Sequence, residues 1–154
     1  MANYMFDTNI FNEILDGDIN LSFLPSDNTC LVTHVQFGEI QRTKNPERLS
    51  QLTSIFNAMS SIEVHTESFV PGISIPGRAK ASNPEKFYEI KNHLDELNKG
   101  KKNNVEDVLI AETAIINTHV LVTCDKDLLK VVTELGGAAL TLDQFIDAVS
   151  KGNR

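Results

Sequence analysis

The sequence has few cysteines, no long hydrophobic run and no excess of positive charge. Its two cysteines, Cys30 and Cys124, belong to no Cys-x-x-Cys or His-x-x-x-His pattern, so no zinc site is indicated. Each lies in or beside an apolar stretch, which predicts a buried thiol. The apolar runs fall short of a membrane span, and MANYMFDTN lacks the basic and apolar regions of a signal peptide. We therefore expect a cytoplasmic protein without membrane contact.

The acidic net charge does not exclude a nucleic-acid partner. The 154 residues include 14 Lys and Arg and 21 Asp and Glu, for a net charge of −7. Phosphate binding needs cations, so an acidic chain would ordinarily argue against a nucleic-acid partner. A divalent metal held by the acids reverses the local potential, however, and RNA stays possible. The length and the 41% hydrophobic content indicate one folded domain, placed at residues 1–150.

Short apolar strands alternate with amphipathic helices along the chain. Strands are predicted at residues 2–6, 30–33, 62–64, 119–123 and 138–140. The alternation predicts an α/β three-layer sandwich with a central, mostly parallel sheet of about five strands. Right-handed crossovers bring the carboxyl ends of these strands to one edge. Residues 66–84, rich in Pro and Gly, predict a long structureless loop with a functional role.

Local signals mark where several helices begin. Capping boxes are predicted at Thr33-x-x-Gln36 and Thr141-x-x-Gln144, and Asn45-Pro46 predicts a capped start with proline in the first turn. Asp127 is predicted to cap the helix that begins within CDKDLL. Glu112, on an otherwise apolar helix, is expected to be a buried or rim partner of Lys or Arg.

Residues 104–127 predict a buried helix that runs straight into a buried strand. From Asp107 to Asn117 a helix climbs about 15 Å, at roughly 1.5 Å per residue. A strand that starts at His119 returns about 16 Å, at roughly 3.3 Å per residue. In a βαβ crossover the two are antiparallel, so Asp107 and Asp125 meet at the carboxyl edge of the sheet, where open α/β sheets hold their sites.

Two further acids are predicted at the same edge. Asp7 follows the first strand directly, and Glu39 lies on the helix that leaves the second strand. Three polar residues are close enough in sequence to support the acids: Asn9, Thr123 and Asp127.

Each acid also has an ordinary structural explanation. Asp7 is compatible with a turn or a helix N-cap, and Asp107 with a carboxylate in a first helical turn. Glu39 is compatible with an exposed helix position, and Asp125 with a turn. These explanations do not account for four acids at one edge.

Clustered carboxylates call for a cation. Two unit charges about 4 Å apart repel by about 4 kcal/mol at an effective dielectric constant near 20. Without a cation between them, the repulsion raises pKa values or loosens the fold. Oxygen ligands without Cys or His indicate Mg²⁺ or Mn²⁺. Such a metal polarises a phosphodiester and lowers the pKa of bound water. We therefore assign metal binding and catalysis to Asp7, Glu39, Asp107 and Asp125.

The segments that carry these acids resemble those of PIN-domain ribonucleases, and among them the VapC-type toxins of bacterial toxin–antitoxin pairs. The similar segments are, in order, YMFDTNIF, VTHVQFGEIQ, VEDVLIAETAI and VLVTCDKDL, and the resemblance covers nearly the whole chain. It implies Mg²⁺- or Mn²⁺-dependent endoribonuclease activity on RNA. It also implies a homodimer and inhibition by a small antitoxin protein that inserts into the site.

Basic residues that flank the acidic edge in sequence are candidates for RNA phosphate contacts. They are Arg42, Lys44, Arg78, Lys80, Lys101 and Lys102. A solvated surface is the alternative explanation for each of them.

Three other functions compete with the nuclease. A non-catalytic PIN-like module that binds RNA or protein would have an incomplete set of acids. A phosphatase of the haloacid-dehalogenase type would need an Asp where this chain has Asn9. A dinucleotide-binding protein would need a glycine-rich fingerprint after the first strand, which is absent. The sequence leaves open which RNA is cut, whether an antitoxin is encoded nearby, whether one or two metal ions bind, and whether Asp127 contacts metal.

Overall fold

A sheet of five parallel strands lies at the centre of the structure, a computed structural model that describes residues 3–24, 30–60, 62–80, 84–100 and 103–152. The strands are β1 (Tyr4–Phe6), β2 (Cys30–Val32), β3 (Ile62–Glu63), β4 (Val120–Val122) and β5 (Ala138–Leu140). Their spatial order is β3-β2-β1-β4-β5, and every neighbouring pair is parallel. The predicted α/β three-layer architecture is confirmed.

Helices cover both faces of this sheet. They are α1 (Thr8–Asp16), α2 (His34–Gln41), α3 (Pro46–Met59), α4 (Glu85–Asn98), α5 (Val105–Ile116), α6 (Lys126–Glu134) and α7 (Leu142–Gly152), with a short 3-10 turn at Leu21–Phe23. Three predicted starts are confirmed in detail. At Thr141 the backbone N–H donates to the Gln144 side chain, and the Gln144 N–H donates to the Thr141 hydroxyl. The Thr33 hydroxyl accepts from the Val35 N–H while Gln36 reaches back to the Thr33 N–H, and the Asn45 side chain accepts from the Arg48 N–H.

Successive residues of each central strand point to opposite faces, as the pleat requires. In β1, Met5 packs into the core beneath α4, α5 and α6, and Phe6 into the core beneath α1, α3 and α7. In β4, Leu121 packs into the same core as Met5, and Val122 packs into the same core as Phe6. All four side chains are fully buried, which is why these strands are apolar at every position and do not alternate with polar residues.

Strand boundaries differ slightly from the sequence prediction. Strand β4 ends at Val122 and not at Thr123. For β1, the described strand begins at Tyr4, and Ala2 lies outside the described residues. Strand β3 is an edge strand of two residues with exposed side chains. Within the described residues, no helix is long and apolar enough to cross a membrane.

The Pro/Gly-rich segment is more ordered than predicted. The Thr66 N–H donates to the Arg78 carbonyl at 3.3 Å, and the Lys80 N–H donates to the Thr66 carbonyl at 2.7 Å. These bonds close the base of a compact loop, which we call the 66–80 loop. Gly72 and Gly77 have φ of +86° and +85°, so both sharp bends use the residue that tolerates this conformation. As predicted, residues 66–80 form a loop without helix or strand, although turns and these hydrogen bonds order it. Residues 81–83 lie outside the described part of the chain.

Candidate active site

A buried aspartate lies where the two central strands end. Asp7 follows β1 and is 2% exposed, and its N–H donates to the Val122 carbonyl of β4 at 2.9 Å. Its carboxylate accepts from the Thr8 N–H at 2.8 Å, the Thr123 hydroxyl at 2.7 Å and the Asn9 amide at 3.0 Å. Asn9 and Thr123, both predicted to support the acids, therefore contact Asp7 directly. Asp7 is also the N-cap of α1, so its structural and proposed chemical roles coincide.

Thr8 connects this aspartate to a second acid. The Thr8 hydroxyl donates to Glu39 Oε1 at 2.7 Å, while its backbone N–H bonds to Asp7. Glu39 reaches the site from the second turn of α2, whose first turn is fixed by the Thr33–Gln36 capping box. Residues 31 positions apart are thus joined through one threonine side chain.

Both acids are held in an environment that disfavours their charge. Burial, together with the negative charge of Asp125, raises the pKa of Asp7 from 3.8 to about 6, although its hydrogen bonds work in the opposite direction. Burial and the charges of Glu106 and Asp7 raise the pKa of Glu39 from 4.5 to about 7. A cation placed between the two carboxylates would reverse both shifts.

Asp125 follows β4 and has a structural task. Its Oδ1 accepts from the N–H groups of Asp127 and Leu128 at 2.9 and 3.2 Å, which makes it the N-cap of α6. The prediction that Asp127 caps this helix is wrong, since Asp127 lies in the first turn. The error has a simple cause: in D-x-D both acids satisfy the capping preference, and only the backbone conformation distinguishes them.

The start of α5 brings another acid to the edge. Asp107 and Glu106 lie in its first turn, both partly buried. Glu106 Oε2 accepts from Arg42 Nη2 at 2.5 Å, and the Glu106 charge contributes to the raised pKa of Glu39. Asp107 is therefore next in sequence to a residue that faces Glu39.

The end of α4 fixes where α5 begins. Asn104, the buried N-cap residue of α5, donates to Asp95 at 2.9 Å and accepts from Lys91 at 3.2 Å. Lys91 also pairs with Asp95 at 3.0 Å. This three-residue cluster holds the turn that carries Asp107.

The acids have the donor chemistry of a magnesium or manganese site without a closed cage. Within the ranges that the structure describes, no three His, Cys, Asp or Glu side chains are placed so that they could hold a metal ion. Mg²⁺ keeps several waters and needs only one or two carboxylates from the protein. Asp7 and Glu39, linked by Thr8 and raised in pKa, meet that lesser requirement.

Two residues of this site were not anticipated from the sequence. Thr8 stands between two acids that the sequence analysis identified, and its position within Asp-Thr-Asn after a strand was a usable signal. Glu106 neighbours Asp107, and its importance depends on Arg42, 64 positions away in sequence. No local pattern reveals that pairing.

Three of the four candidate RNA-binding cations that the structure describes are paired with acids. Arg42 pairs with Glu106, Arg78 with Glu63 and Lys80 with Glu67. Lys44 is exposed. Lys101 and Lys102 lie outside the described residues.

Two predictions about single side chains are wrong. Cys124 is exposed and not buried, because it follows β4 at the open carboxyl edge, whereas Cys30 is buried as expected. Glu112 is fully buried, and the hydrogen bond described for its carboxylate comes from the Ser68 hydroxyl at 2.8 Å and not from Lys or Arg. A neutral donor suffices there because burial raises the pKa of Glu112.

Comparison with solved structures shows the fold. VapBC-5 from Mycobacterium tuberculosis, a member of the VapBC family of toxin–antitoxin systems, matches with a TM-score of 0.50 and 14% identity, over 91% of this chain and 98% of that one. FitAcB from Neisseria gonorrhoeae matches at 0.50 with 17% identity over 89% and 96%. VapBC2 from Rickettsia felis, bound to a DNA fragment from its promoter, matches at 0.50 with 20% identity over 90% and 97%. The chain has the PIN-domain fold.

This likeness is one of fold, and it agrees with the resemblance inferred from the sequence. No protein-family model and no curated protein matches the chain. In this PIN fold, Asp7 and Asp125 follow neighbouring strands, while Glu39 and Asp107 arrive on helices. The fold thus brings the elements that carry these four acids to the carboxyl edge, and the contacts described there join Asp7 to Glu39 through Thr8.

Proposed function

We propose that this protein is a Mg²⁺- or Mn²⁺-dependent endoribonuclease and the toxin of a toxin–antitoxin pair. The observation that carries the proposal is the Asp7–Thr8–Glu39 arrangement at the carboxyl edge. Two acids from different elements share a threonine, and both have pKa values raised toward neutrality. A divalent cation would offset the burial and the repulsion that raise these pKa values. VapBC-5, which has the same fold, belongs to a family of toxin–antitoxin systems, and this favours the toxin role.

Each residue has a defined part in the proposal. Asp7, Glu39, Asp107 and Asp125 hold the metal, directly or through water. The metal, when bound, polarises the phosphodiester and supplies a nucleophilic water near neutral pH. Thr123 and Asn9 fix the Asp7 carboxylate by hydrogen bonds, and Thr8 fixes Glu39. In hydrolysis the water oxygen forms a new bond to phosphorus as the bond from phosphorus to the leaving oxygen breaks. The water gives up one proton to the surroundings, and the leaving oxygen takes one up.

The partners in this proposal are RNA as substrate, a small antitoxin protein and a second copy of the chain. Among the structures with the same fold, VapBC-5 belongs to a family of toxin–antitoxin systems, and VapBC2 is bound to a DNA fragment from its promoter. We place the activity in the cytoplasm, without membrane contact.

Substitution of two acids tests the nuclease proposal. Asp7→Asn and Asp107→Asn should each abolish Mg²⁺-dependent cleavage of single-stranded RNA, while circular dichroism shows a folded chain. Asp16→Asn is the matched control, because it removes an exposed acid paired with Arg48. Cleavage retained by both site variants contradicts the proposal. Growth inhibition on expression that disappears in Asp7→Asn supports the toxin role.

A non-catalytic PIN-like module that binds RNA or protein is the second candidate. The observation that favours it is the absence, within the described residues, of three side chains gathered as a metal would require. The two candidates predict different results with Mg²⁺. A nuclease binds Mg²⁺ through Asp7 and loses that binding in Asp7→Asn, whereas a non-catalytic module shows neither cleavage nor Asp7-dependent Mg²⁺ binding.

A further inference from the structure

A cavity of about 200 Å³ opens between α2, α5 and the 66–80 loop. Six of the residues that line it define its character: Val35, Gly38, Arg42, Gly72, Ile73 and Glu106. Its volume equals that of roughly seven water molecules at about 30 Å³ each, below the roughly 300 Å³ at which sites for drug-sized ligands begin. The cavity therefore has room for one planar ring system, such as a single base, or for a side chain, and not for an extended ligand.

The cavity lies near one of the proposed catalytic acids, because the charges of two of its lining residues, Glu106 and Arg42, act on Glu39. Gly38 directly precedes Glu39 on α2, and Glu106 directly precedes Asp107 on α5. A group bound in the cavity would therefore belong to the same nucleotide as a phosphate held at the acidic edge, or to its neighbour.

The walls leave room for a flat, apolar object. A Cβ atom at Gly38 or Gly72 would meet no other atom within 4 Å, so both positions face open space. Gly72 has φ of +86°, a conformation that favours glycine and keeps this wall free of a side chain. Val35 and Ile73 supply apolar surface for the faces of a ring.

A buried histidine holds the loop wall in place. His34, in the first turn of α2, is 2% exposed, and its Nε2 accepts from the Ile75 N–H at 3.2 Å. Burial and the positive charge of Arg78 lower the pKa of His34, so the ring stays neutral and keeps this acceptor. The loop side of the cavity is thus attached to α2 in the absence of a ligand.

The polar groups of the cavity select a neutral ligand with both donors and acceptors. Arg42 and Glu106 pair at 2.5 Å, so their charges largely cancel and a second phosphate would gain little there. Arg42 carries five N–H donors and Glu106 two acceptor oxygens. Guanine matches both, since its N1–H and N2 amino group can donate to a carboxylate and its O6 and N7 can accept from arginine. Adenine, cytosine and uracil each lack part of this pattern.

We propose that the cavity between α2, α5 and the 66–80 loop binds a guanine base, so that the enzyme cuts single-stranded RNA next to guanosine. The proposal rests on the proposed nuclease function and names its substrate preference. Single-stranded RNA is the suitable substrate because its unstacked bases expose their edges to protein groups.

Cleavage of defined oligoribonucleotides tests this preference. The substrates are uridine strands with one internal guanosine, inosine or adenosine. Cleavage beside guanosine should exceed cleavage beside adenosine by about 5- to 150-fold, the range for one bidentate base contact. Inosine, which lacks the N2 amino group, should fall between them. The preference should disappear in Glu106→Gln and shrink in Arg42→Lys, whereas the control Asp16→Asn, which breaks another Arg–carboxylate pair, should retain it.

A binding measurement separates failure of the cavity from failure of the nuclease. Guanosine 5′-monophosphate, titrated without Mg²⁺, should shift the amide NMR signals of Gly38 and Gly72 more than adenosine 5′-monophosphate does. If no RNA is cut but this shift occurs, the nuclease proposal fails and the guanine site stands. If both nucleotides leave the two glycine signals unmoved, or if cleavage shows no guanosine preference, the guanine site is overturned. This negative result is the one expected if the cavity serves to receive a side chain of a partner protein and not a base.

Discussion

Two groups of buried acids in this molecule are stabilised in different ways. At the acidic edge, Asp7 and Glu39 accept hydrogen bonds from threonines and have pKa values raised to about 6 and about 7. Beneath the 66–80 loop, Glu67 pairs with Lys80 at 2.9 Å and accepts from Asn117. The buried Glu112 beside it accepts from Ser68.

The difference concerns what each group needs to be stable. The acids beneath the loop attach the loop to α5, and their hydrogen-bond donors include a cation of the chain, Lys80. The acids at the edge have hydroxyl and amide donors, and Asp125 and Glu106 add negative charge to their surroundings. Repulsion among the carboxylates at this edge lowers the free energy of unfolding. A bound divalent cation would remove that destabilisation.

The largest expected effect is on catalysis, and it compares one acid from each group. Asp7→Asn should reduce RNA cleavage by more than about 100-fold, beyond the 10- to 100-fold typical of residues that only support a metal ligand. Glu112→Gln should change it by less than about tenfold, that is by less than 1.4 kcal/mol. Single-turnover assays on both purified variants measure this. Equal losses would mean that the two groups act as one site.

The pH dependence of stability should differ with and without metal. Raising the pKa of Asp7 from 3.8 to about 6, and that of Glu39 from 4.5 to about 7, means that the folded state binds protons more tightly than the unfolded state. Their contribution to the free energy of unfolding is therefore retained below about pH 4 and lost as pH rises to about 7, by up to about 3 kcal/mol for each acid.

Calorimetry at pH 5 and pH 8 measures this loss. Without metal the chain should melt at a lower temperature at pH 8, and Mg²⁺ should restore more stability at pH 8 than at pH 5. The double variant Asp7→Asn/Glu39→Gln should lose most of both effects. A Mg²⁺ response that survives in the double variant would place the metal elsewhere.

Two threonines, one at each group of acids, allow the same comparison with smaller expected effects. Thr8→Val removes the hydroxyl that bonds Glu39 and should reduce cleavage by about 10- to 100-fold. Thr113→Val removes the hydroxyl that accepts from the Glu67 N–H, and should lower the free energy of unfolding by about 1–3 kcal/mol with cleavage retained. Urea unfolding and cleavage rates, measured on both variants, separate the two roles. If Thr113→Val lost cleavage and Thr8→Val retained it, these two assigned roles would be contradicted.

The smallest expected effect concerns the ion pair that covers the loop. Lys80→Met should lower the free energy of unfolding by less than about 1 kcal/mol, because Lys80 is half exposed and solvent screens its charge. Glu67 keeps its hydrogen bond from Asn117. A loss much larger than this, in urea unfolding, would show that the acids beneath the loop depend on their cation as strongly as we propose the edge acids depend on metal.

Much of the fold could be predicted from the sequence, because helix caps and buried strands depend on residues close together in the chain. Capping at Thr33 and Asn45 depends on residues three positions apart, and the apolar runs in β1 and β4 depend on burial on both faces. Asp7 could be placed at the carboxyl edge because it directly follows a strand. The choice between Asp125 and Asp127 as helix cap could not be made, since adjacent backbone conformations were needed to distinguish them.

The sequence by itself determined the alternation of strands and helices, and with it the edge at which Asp7, Glu39, Asp107 and Asp125 were predicted. Periodicity and right-handed crossovers predict that edge without any knowledge of side-chain contacts. Only the tertiary structure decided which groups meet there. The Thr8–Glu39 bond and the Arg42–Glu106 pair join residues 31 and 64 positions apart, and such contacts depend on how two helices approach each other, which no local pattern encodes.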